Sequence, residues 1–348
     1  MKTVLVCAAQ APYVTGGAEI LVRELAEQLA RRGFRTDVVS VPFHGHPPAE
    51  IVRQAIAWRL LELRETTGRP VDLVIPTKFP SYLVRHPRKV VWLFHQHREA
   101  YDLYGTTLAS LTDSPEHRRV RDAIHAMDEA ALGESRAVFT ISANVADRLS
   151  RFNRLSGKPL HPPPRDAGRF RTDAYGDYLL YAGRLERIKR VDLAVRAVAQ
   201  GGERVRLKIA GAGSAEPALR RLAEELDVSD RVEFLGFVSE EDLLTLYAGC
   251  RAAWYTPEDE DYGYVTIESF LSRKPVLTTT DAGGPLEFVE DGVNGSVTVP
   301  EPGALAGAID RIYSLPDTRL REMGEEGRRR VAHITWDAVV DRLTESIR

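Results

Sequence analysis

The chain has 348 residues, of which 43% are hydrophobic and 28% charged, a balance that excludes a disordered, fibrous or disulfide-stapled protein and favours two domains with separate cores. The formal charge of −3 hides an asymmetry: residues 1–171 hold 25 Lys/Arg and 18 Asp/Glu (net +7), whereas residues 172–348 hold 22 and 32 (net −10). The basic half could make peripheral contact with anionic lipid or take another anionic acceptor, but its arginines are scattered and lack the aromatic interleaving that reading bases requires, so no nucleic-acid partner is expected.

Cys7 and Cys250, far apart and with no secretory leader before them, read as reduced buried thiols of a cytoplasmic protein. The apolar stretch Val4–Ala9 is too short for a signal-peptide core or a membrane span. It is instead a strand over 3–9, buried on both faces. A turn at Gly16-Gly17 leads into a helix over 18–31, with Gly33 at its C-terminal end, and a strand over 36–41 completes a βαβ unit. Further elements are predicted as helix 48–65, strands 71–76 and 89–95, helix 115–132, strand 137–142 and helix 143–151. The stretch 157–168, with three consecutive prolines between glycines, is the linker candidate. A second series follows: strand 178–182, helix 192–199, strand 206–210, helix 215–226, strand 232–235, helix 240–248, strand 252–255, helix 265–271 and strand 275–279. A last helix over 336–347 packs back on the first domain in this reading. The fold class is therefore α/β, with two Rossmann-like, doubly wound parallel-sheet domains facing a central cleft: residues 1–165, residues 166–334 and the terminal helix 335–348.

The strongest constellation is PEDEDYGYVTIESFLSRKPV at 257–276. Free amides at Gly263, Tyr264 and Val265 would make an anion site at a helix start, with glycine letting a phosphate come close. Carboxylates repel phosphate, so Glu260 and Glu268 make sense as acceptors for neutral hydroxyls flanking it, Glu268 for a ribose diol and Glu260 for a sugar. Tyr262 joins this binding set. In GRLERIKR at 183–190, Arg184 and Lys189 leave a strand end as a pair of cations suited to a diphosphate. Gly16 and Gly17 permit a close backbone approach, but GGAEIL is not a dinucleotide fingerprint. Gly211 and Gly213 follow a strand and read either as a nucleotide loop or as a tight β-to-α turn.

His95 and His97, two apart at a strand's end, would point to the same side. A zinc site is rejected for want of further ligands, and one histidine facing the crevice would hydrogen-bond near the reacting sugar. His95 is taken for that role, with His97 as the alternative. Asp259-Glu260-Asp261 resembles a metal-holding acidic turn, yet it adjoins a helix start that can itself hold phosphate, so no metal and no cofactor are expected.

These segments resemble the family 4 retaining glycosyltransferases of GT-B architecture: GGAE at 16–19, TISANVADRL at 140–149, AGRLERIKRVD at 182–192, IAGAGS at 209–214, VEFLGFVSEEDLLTLY at 232–247, the Glu260/Glu268 motif, DAGGPLEFVEDGVNG at 281–295 and the TWDAVVDRL tail. The resemblance implies a nucleotide-diphosphate sugar held mainly by the second domain and an acceptor held mainly by the first. Arg184 and Lys189 would contact the diphosphate, Glu268 the ribose, Glu260 the donor sugar, Gly16-Gly17 the phosphate or sugar, and Phe237 and Val238 would lie near the base. His95 matches the family's active-site histidine. Pro162-Pro163-Pro164 replaces the asparagine-glycine that usually follows the linker. The implied reaction is metal-independent transfer with retention, from a UDP- or GDP-linked sugar to a hydroxyl on a glycolipid, polysaccharide or small metabolite. A phosphorylase or epimerase on the same frame, or a non-catalytic nucleotide-sugar-binding partner, are the alternatives.

Overall fold

The computed structural model describes residues 1–10, 13 and 16–348, which form two compact units: residues 1–165 with 334–348 (unit 1) and residues 166–333 (unit 2).

In unit 1 the strands are β1 (Thr3–Gln10), β2 (Arg35–Pro42), β3 (Glu65–Thr66), β4 (Arg69–Pro70), β5 (Leu73–Pro76), β6 (Val90–Leu93), β7 (Ala137–Thr140) and β8 (Lys158–Pro159). Its helices are α1 (Gly17–Arg31), α2 (Pro48–Leu60), α3 (Pro115–Gly133) and α4 (Ala143–Asn153). β1 is buried on both faces and pairs in parallel with β2 from Thr3↔Arg35 to Gln10↔Pro42, and with β5 on its other edge. The parallel row β6-β7-β8 continues the sheet through a bridge between Val74 and Lys89. α1 lays Leu21, Val22, Leu25 and Leu29 against this sheet and ends in a Schellman motif, with Gly33 at φ 85° and the Phe34 N–H donating to the Leu29 carbonyl at 3.2 Å.

Three expectations need correction here. The helix predicted over 48–65 stops at Leu60, because Leu61 turns to extended backbone and Thr67-Gly68, both at positive φ, close a two-residue hairpin between β3 and β4. The strand before the histidines stops at Leu93, so His95 and His97 do not share a strand face. The stretch 157–168 is only in part a connection: Lys158 and Pro159 pair with Phe139 and Thr140, and Pro162, Pro163 and Pro164 are buried.

Unit 2 contains β9 (Tyr178–Ala182), α5 (Val191–Gln200), β10 (Arg206–Ala210), α6 (Glu216–Glu225), β11 (Val232–Gly236), α7 (Glu240–Gly249), β12 (Ala252–Trp254), α8 (Tyr264–Leu271), β13 (Val276–Thr279), β14 (Gly295–Thr298), α9 (Pro302–Ser314) and α10 (Asp317–Val331). The six strands are parallel, in the order β11-β10-β9-β12-β13-β14. Their buried Leu179, Leu180, Leu207, Ile209, Ala253 and Leu277 form the central layer, each buried leucine or isoleucine contributing about 1.5–3 kcal/mol. The chain then crosses back to unit 1 as α11 (Trp336–Thr344), capped by the Thr335 hydroxyl. There Trp336 meets Trp92 edge-on at 6.2 Å, and Asp337 accepts from Arg32 Nε at 3.1 Å.

Candidate functional site

The strand order of unit 2 reverses between β9 and β12, and open parallel sheets of this order offer their ligand crevice at the carboxyl ends of the strands flanking that point. Arg190, which the sequence reading passed over, ties the two loops together. Its guanidinium donates to the carbonyls of Thr256 (3.0 Å) and Pro257 (2.7 Å) after β12, and to the Asp281 carboxylate (2.7 and 2.8 Å) after β13. Burial would raise the Asp281 carboxyl, but bonds from Arg190 and Thr279 outweigh it and hold the group below its usual range. The Glu258 N–H adds a bond to the Ile188 carbonyl at 2.9 Å.

On this frame Lys189 Nζ pairs with Glu260 Oε2, and the Tyr255 hydroxyl donates to the same oxygen at 2.8 Å. Both charged side chains are largely buried, 14% and 18% exposed, so their attraction is little screened by solvent. α8 starts beside them. Its N-cap, Gly263, sits at φ 85° and supplies no side-chain cap, and a β-carbon there would come within 2.7 Å of the Tyr255 ring and 3.1 Å of Pro285. Glycine is thus required by both backbone and space, and having no side chain it caps none of the helix's first amides itself. Val265 is buried in the first turn, and buried Tyr262 props it, edge-on to Tyr264 at 5.1 Å and to Phe288 at 5.9 Å.

One turn into α8, Glu268 accepts from the Tyr247 hydroxyl at 2.8 Å. Burial pushes its carboxyl up to about 6 against the lowering effect of that bond. The remaining expected residues of unit 2 have surroundings of their own. Arg184 is exposed and bonded to Glu186 at 2.7 Å. Gly211 and Gly213 hold two loops against each other: a β-carbon on Gly211 would lie 1.9 Å from the Gly183 carbonyl oxygen, and one on Gly213 would lie 2.3 Å from that of Leu185. The tight-turn reading of this pair therefore has a packing reason of its own. Phe237 is almost wholly exposed, while Val238 packs on the cluster of Leu180, Ala182, Ala210 and Tyr247.

In unit 1 the Gly16 N–H donates to Glu19 Oε2 at 2.9 Å, and Lys78 Nζ donates to Glu19 Oε1 at 2.6 Å. Burial would raise the Glu19 carboxyl, but these partners lower it further than burial raises it. A cavity of about 310 Å³ opens here, lined by Gln10, Glu19, Arg23, Val38 and Lys78 among others. Nothing lies within 4 Å of a β-carbon placed on Gly17, so packing does not demand glycine there. Tyr255, Lys78 and Glu19 carry no recognisable spacing signal; Glu19 alone sat inside a quoted motif.

His95 Nδ1 lies 2.7 Å from the Gln96 carbonyl oxygen, which can only accept, so Nδ1 carries a proton and, in the neutral ring, Nε2 is the basic nitrogen. His97 is wedged against Phe79 (centroids 5.3 Å apart) and Phe43 (6.2 Å). Burial drives it down to about 4, with Glu99 opposing and His95 assisting, so it is a neutral packing residue at neutral pH. Among the described residues no group of three or more His, Cys, Asp or Glu is placed to hold a metal, and no helix is long and apolar enough to cross a membrane.

Residues 168–330 match the family model described as Glycosyl transferases group 1. The chain is 28% identical over 375 aligned positions to the D-inositol 3-phosphate glycosyltransferase of Mycolicibacterium smegmatis, an alignment covering 95% of this chain and 86% of the relative. Among solved structures, sucrose-phosphate synthase of Thermosynechococcus elongatus superposes with a TM-score of 0.77 at 21% identity, covering 99% of this chain and 98% of that one. The Anabaena protein HepE, solved with UDP and glucose, superposes with a TM-score of 0.73 at 19% identity, covering 100% and 99%. At those identities the superpositions speak for the fold alone, and it is that of the GT-B glycosyltransferases. The family match spans nearly all of unit 2, and over that unit the chain is similar to the group 1 glycosyltransferases.

Proposed function

We propose that the chain transfers a sugar, with retention, from a nucleoside-diphosphate sugar bound by unit 2 to an acceptor hydroxyl bound by unit 1. The observation that carries this reading is the Lys189–Glu260–Tyr255 cluster beside the uncapped start of α8, at the point where the unit 2 sheet reverses its order. A diphosphate placed there meets a fixed cation and a helix N-terminus, which stabilise the negative charge that grows as the bond to the sugar breaks. Glu260, freed from Lys189 as the diphosphate takes over that cation, accepts from donor-sugar hydroxyls, and Glu268 accepts from the ribose. Gly16, the N-cap of α1, lets the donor approach that helix start closely. His95, with its lone pair on Nε2, accepts from a sugar hydroxyl. The leaving diphosphate oxygen takes the acceptor's proton, so the reaction needs no second nucleophilic carboxylate and no metal. HepE's complex with UDP favours UDP as the nucleotide.

The purified full chain incubated with UDP- and GDP-sugars should release the matching nucleoside diphosphate slowly without added phosphate, and equally in the presence of a chelator. NMR of the transferred sugar should show the donor's anomeric configuration. An inverted anomer would remove the retaining reaction. No nucleotide release, together with no binding heat at millimolar donor, would sink the reading as a whole.

A further inference from the structure

Asp128, in the middle of α3, is a fully buried carboxylate with no role in the chemistry above. Its Oδ2 accepts from two phenols, Tyr82 at 2.8 Å and Tyr101 at 2.7 Å, while Oδ1 has no hydrogen-bond partner among the described residues. Burying such a group is costly, and its carboxyl rises to about 7 because burial outweighs both phenol bonds. Among the described residues no cation pairs with it. Lys89 Nζ is occupied by the carbonyls of Tyr82, Val84 and Ala131 at 2.7–3.1 Å, and His125 stacks on Tyr101 at 4.3 Å with Nε2 on the Ala100 carbonyl. Glu129, the next residue on α3, adds only a further negative charge.

From Tyr101 the hydrogen bonds run in one direction. The Tyr101 oxygen, its proton committed to Asp128, accepts from Asn153 Nδ2 at 3.1 Å. Asn153 therefore turns its Oδ1 toward Gln96, which donates through Nε2, and the Gln96 backbone carbonyl in turn accepts from His95 Nδ1 at 2.7 Å. The carboxylate fixes the sense of the bonds as far as Gln96 Nε2, and the Gln96 backbone carbonyl, which can only accept, meets Nδ1–H once that loop is in place. Gln96 is itself fully buried, with Oε1 unpartnered, so its side chain is held for where it sends the amide and not for full satisfaction.

We propose that Asp128 is a positioning residue: through Tyr101, Asn153 and Gln96 it sets the place of the 94–101 loop and the Nδ1–H form of His95. This rests on the reading of His95 as a substrate-facing group only for its consequence in catalysis. The geometric part stands without it.

The two phenols supply the test. Tyr82→Phe and Tyr101→Phe each delete one bond to Asp128, but only Tyr101→Phe cuts the route to Gln96. The full chain labelled with ¹⁵N-histidine is titrated from pH 5 to 9, and the His95 ring nitrogens are followed in the wild type, both variants and Asp128→Asn. The expected result is a protonated Nδ1 in neutral His95 of the wild type and of Tyr82→Phe, with a second inflection where Asp128 titrates. Tyr101→Phe and Asp128→Asn should show mixed tautomers and no second inflection. With UDP-glucose hydrolysis as the activity probe, kcat of Tyr101→Phe should fall on the order of ten- to a hundredfold, as for a misplaced group, with little change in KM. Identical His95 spectra for Tyr82→Phe and Tyr101→Phe would overturn the proposal, and Tyr101→Phe decides the matter even if Asp128→Asn does not fold. His95→Ala with wild-type turnover would instead remove the catalytic reading of His95 and leave the spectroscopic result standing.

Discussion

In unit 2 the charged residues of the candidate site hold one another: Lys189, after β9, meets Glu260, after the neighbouring β12, and Arg190 reaches past β12 to Asp281, after β13. In unit 1 the histidine loop is held from behind, by amides and phenols that end on one buried carboxylate. The first arrangement is built to be disturbed. In the proposed reaction an incoming diphosphate would compete with Glu260 for Lys189, so ligand binding and the opening of that pair would be the same event. The second lies under the surface, where a ligand's charge does not compete, and it can only set position. Charge handling and geometry are thus supplied by different physical devices in the two units.

The largest expected effect breaks the first device. Lys189→Ala should lower turnover by roughly 10²–10³, the cost of one donor aimed at developing charge, while acceptor KM changes little. Arg184→Ala should cost less than Lys189→Ala in the same assay, because Arg184 is exposed, where solvent screens its charge, whereas Lys189 is largely buried. Wild-type turnover in Lys189→Ala would show that the Lys189–Glu260 pair is structural. Next comes the frame itself. Gly211→Ala places a β-carbon 1.9 Å from the Gly183 carbonyl at a backbone φ of 144°, so the loops after β9 and β10 must separate. Denaturant unfolding of unit 2 should register a loss of about 3 kcal/mol. A loss below about 0.5 kcal/mol would mean that these loops yield easily.

How much of this could be read from residue order follows the same division. The strands of unit 2 up to β13 and the helices between them are legible because each is a short run with its own period, several of them ended by glycine or serine, such as Ser239 capping α7. So are Lys189, Glu260, Gly263 and Glu268, whose motifs are contiguous. α10 is not, because Gly324 and Gly327 look like helix breakers in a charged run. In the fold they are contact points: β-carbons there would lie 2.0 Å from the Arg273 carbonyl and 2.2 Å from the Phe270 ring, so glycine lets α10 lie against α8. β14 and α9 were missed as well, both lying beyond the quoted motifs. Gln96 and Tyr101 share one loop, but Asp128 and Asn153 come from two separate helices at no recognisable spacing, so nothing local announces their network. Arg190 lay inside a quoted motif but was overlooked beside two basic neighbours, since only the fold shows which of them faces Asp281.

A third prediction separates the two devices by pH. Asp128 has a folded-state value near 7 and an ordinary one when unfolded, so between those values the folded chain binds the extra proton and stability must fall as pH rises. From pH 5.5 to 7 the decline should be about 2 kcal/mol, at 1.36 kcal/mol per unit, and should level off above pH 7. Hydrogen exchange of the β1 amides, corrected for intrinsic rates, reports unit 1 opening directly. Asp128→Asn should remove this slope and leave the opening of unit 2 unchanged. An equal slope in the variant would place the titrating group elsewhere.

The smallest effect concerns Glu268 and nucleotide affinity. Its carboxyl is raised to about 6 by burial, so below that pH it is largely protonated and has lost part of its capacity to accept from a ribose diol. UDP affinity measured by calorimetry should therefore strengthen as pH rises from 5 to 7 and then stay level. The change should be roughly tenfold, the worth of one hydrogen bond to a charged group. Glu268→Gln accepts through one oxygen at every pH, so its affinity should be flat and near the low-pH value of the wild type. The UDP phosphates also titrate in this range, and comparison with the Gln variant subtracts that contribution because both proteins meet the same ligand. Parallel pH curves for the two would mean that the carboxyl does not touch the nucleotide. Glu268 would then serve α8 only through its bond from Tyr247.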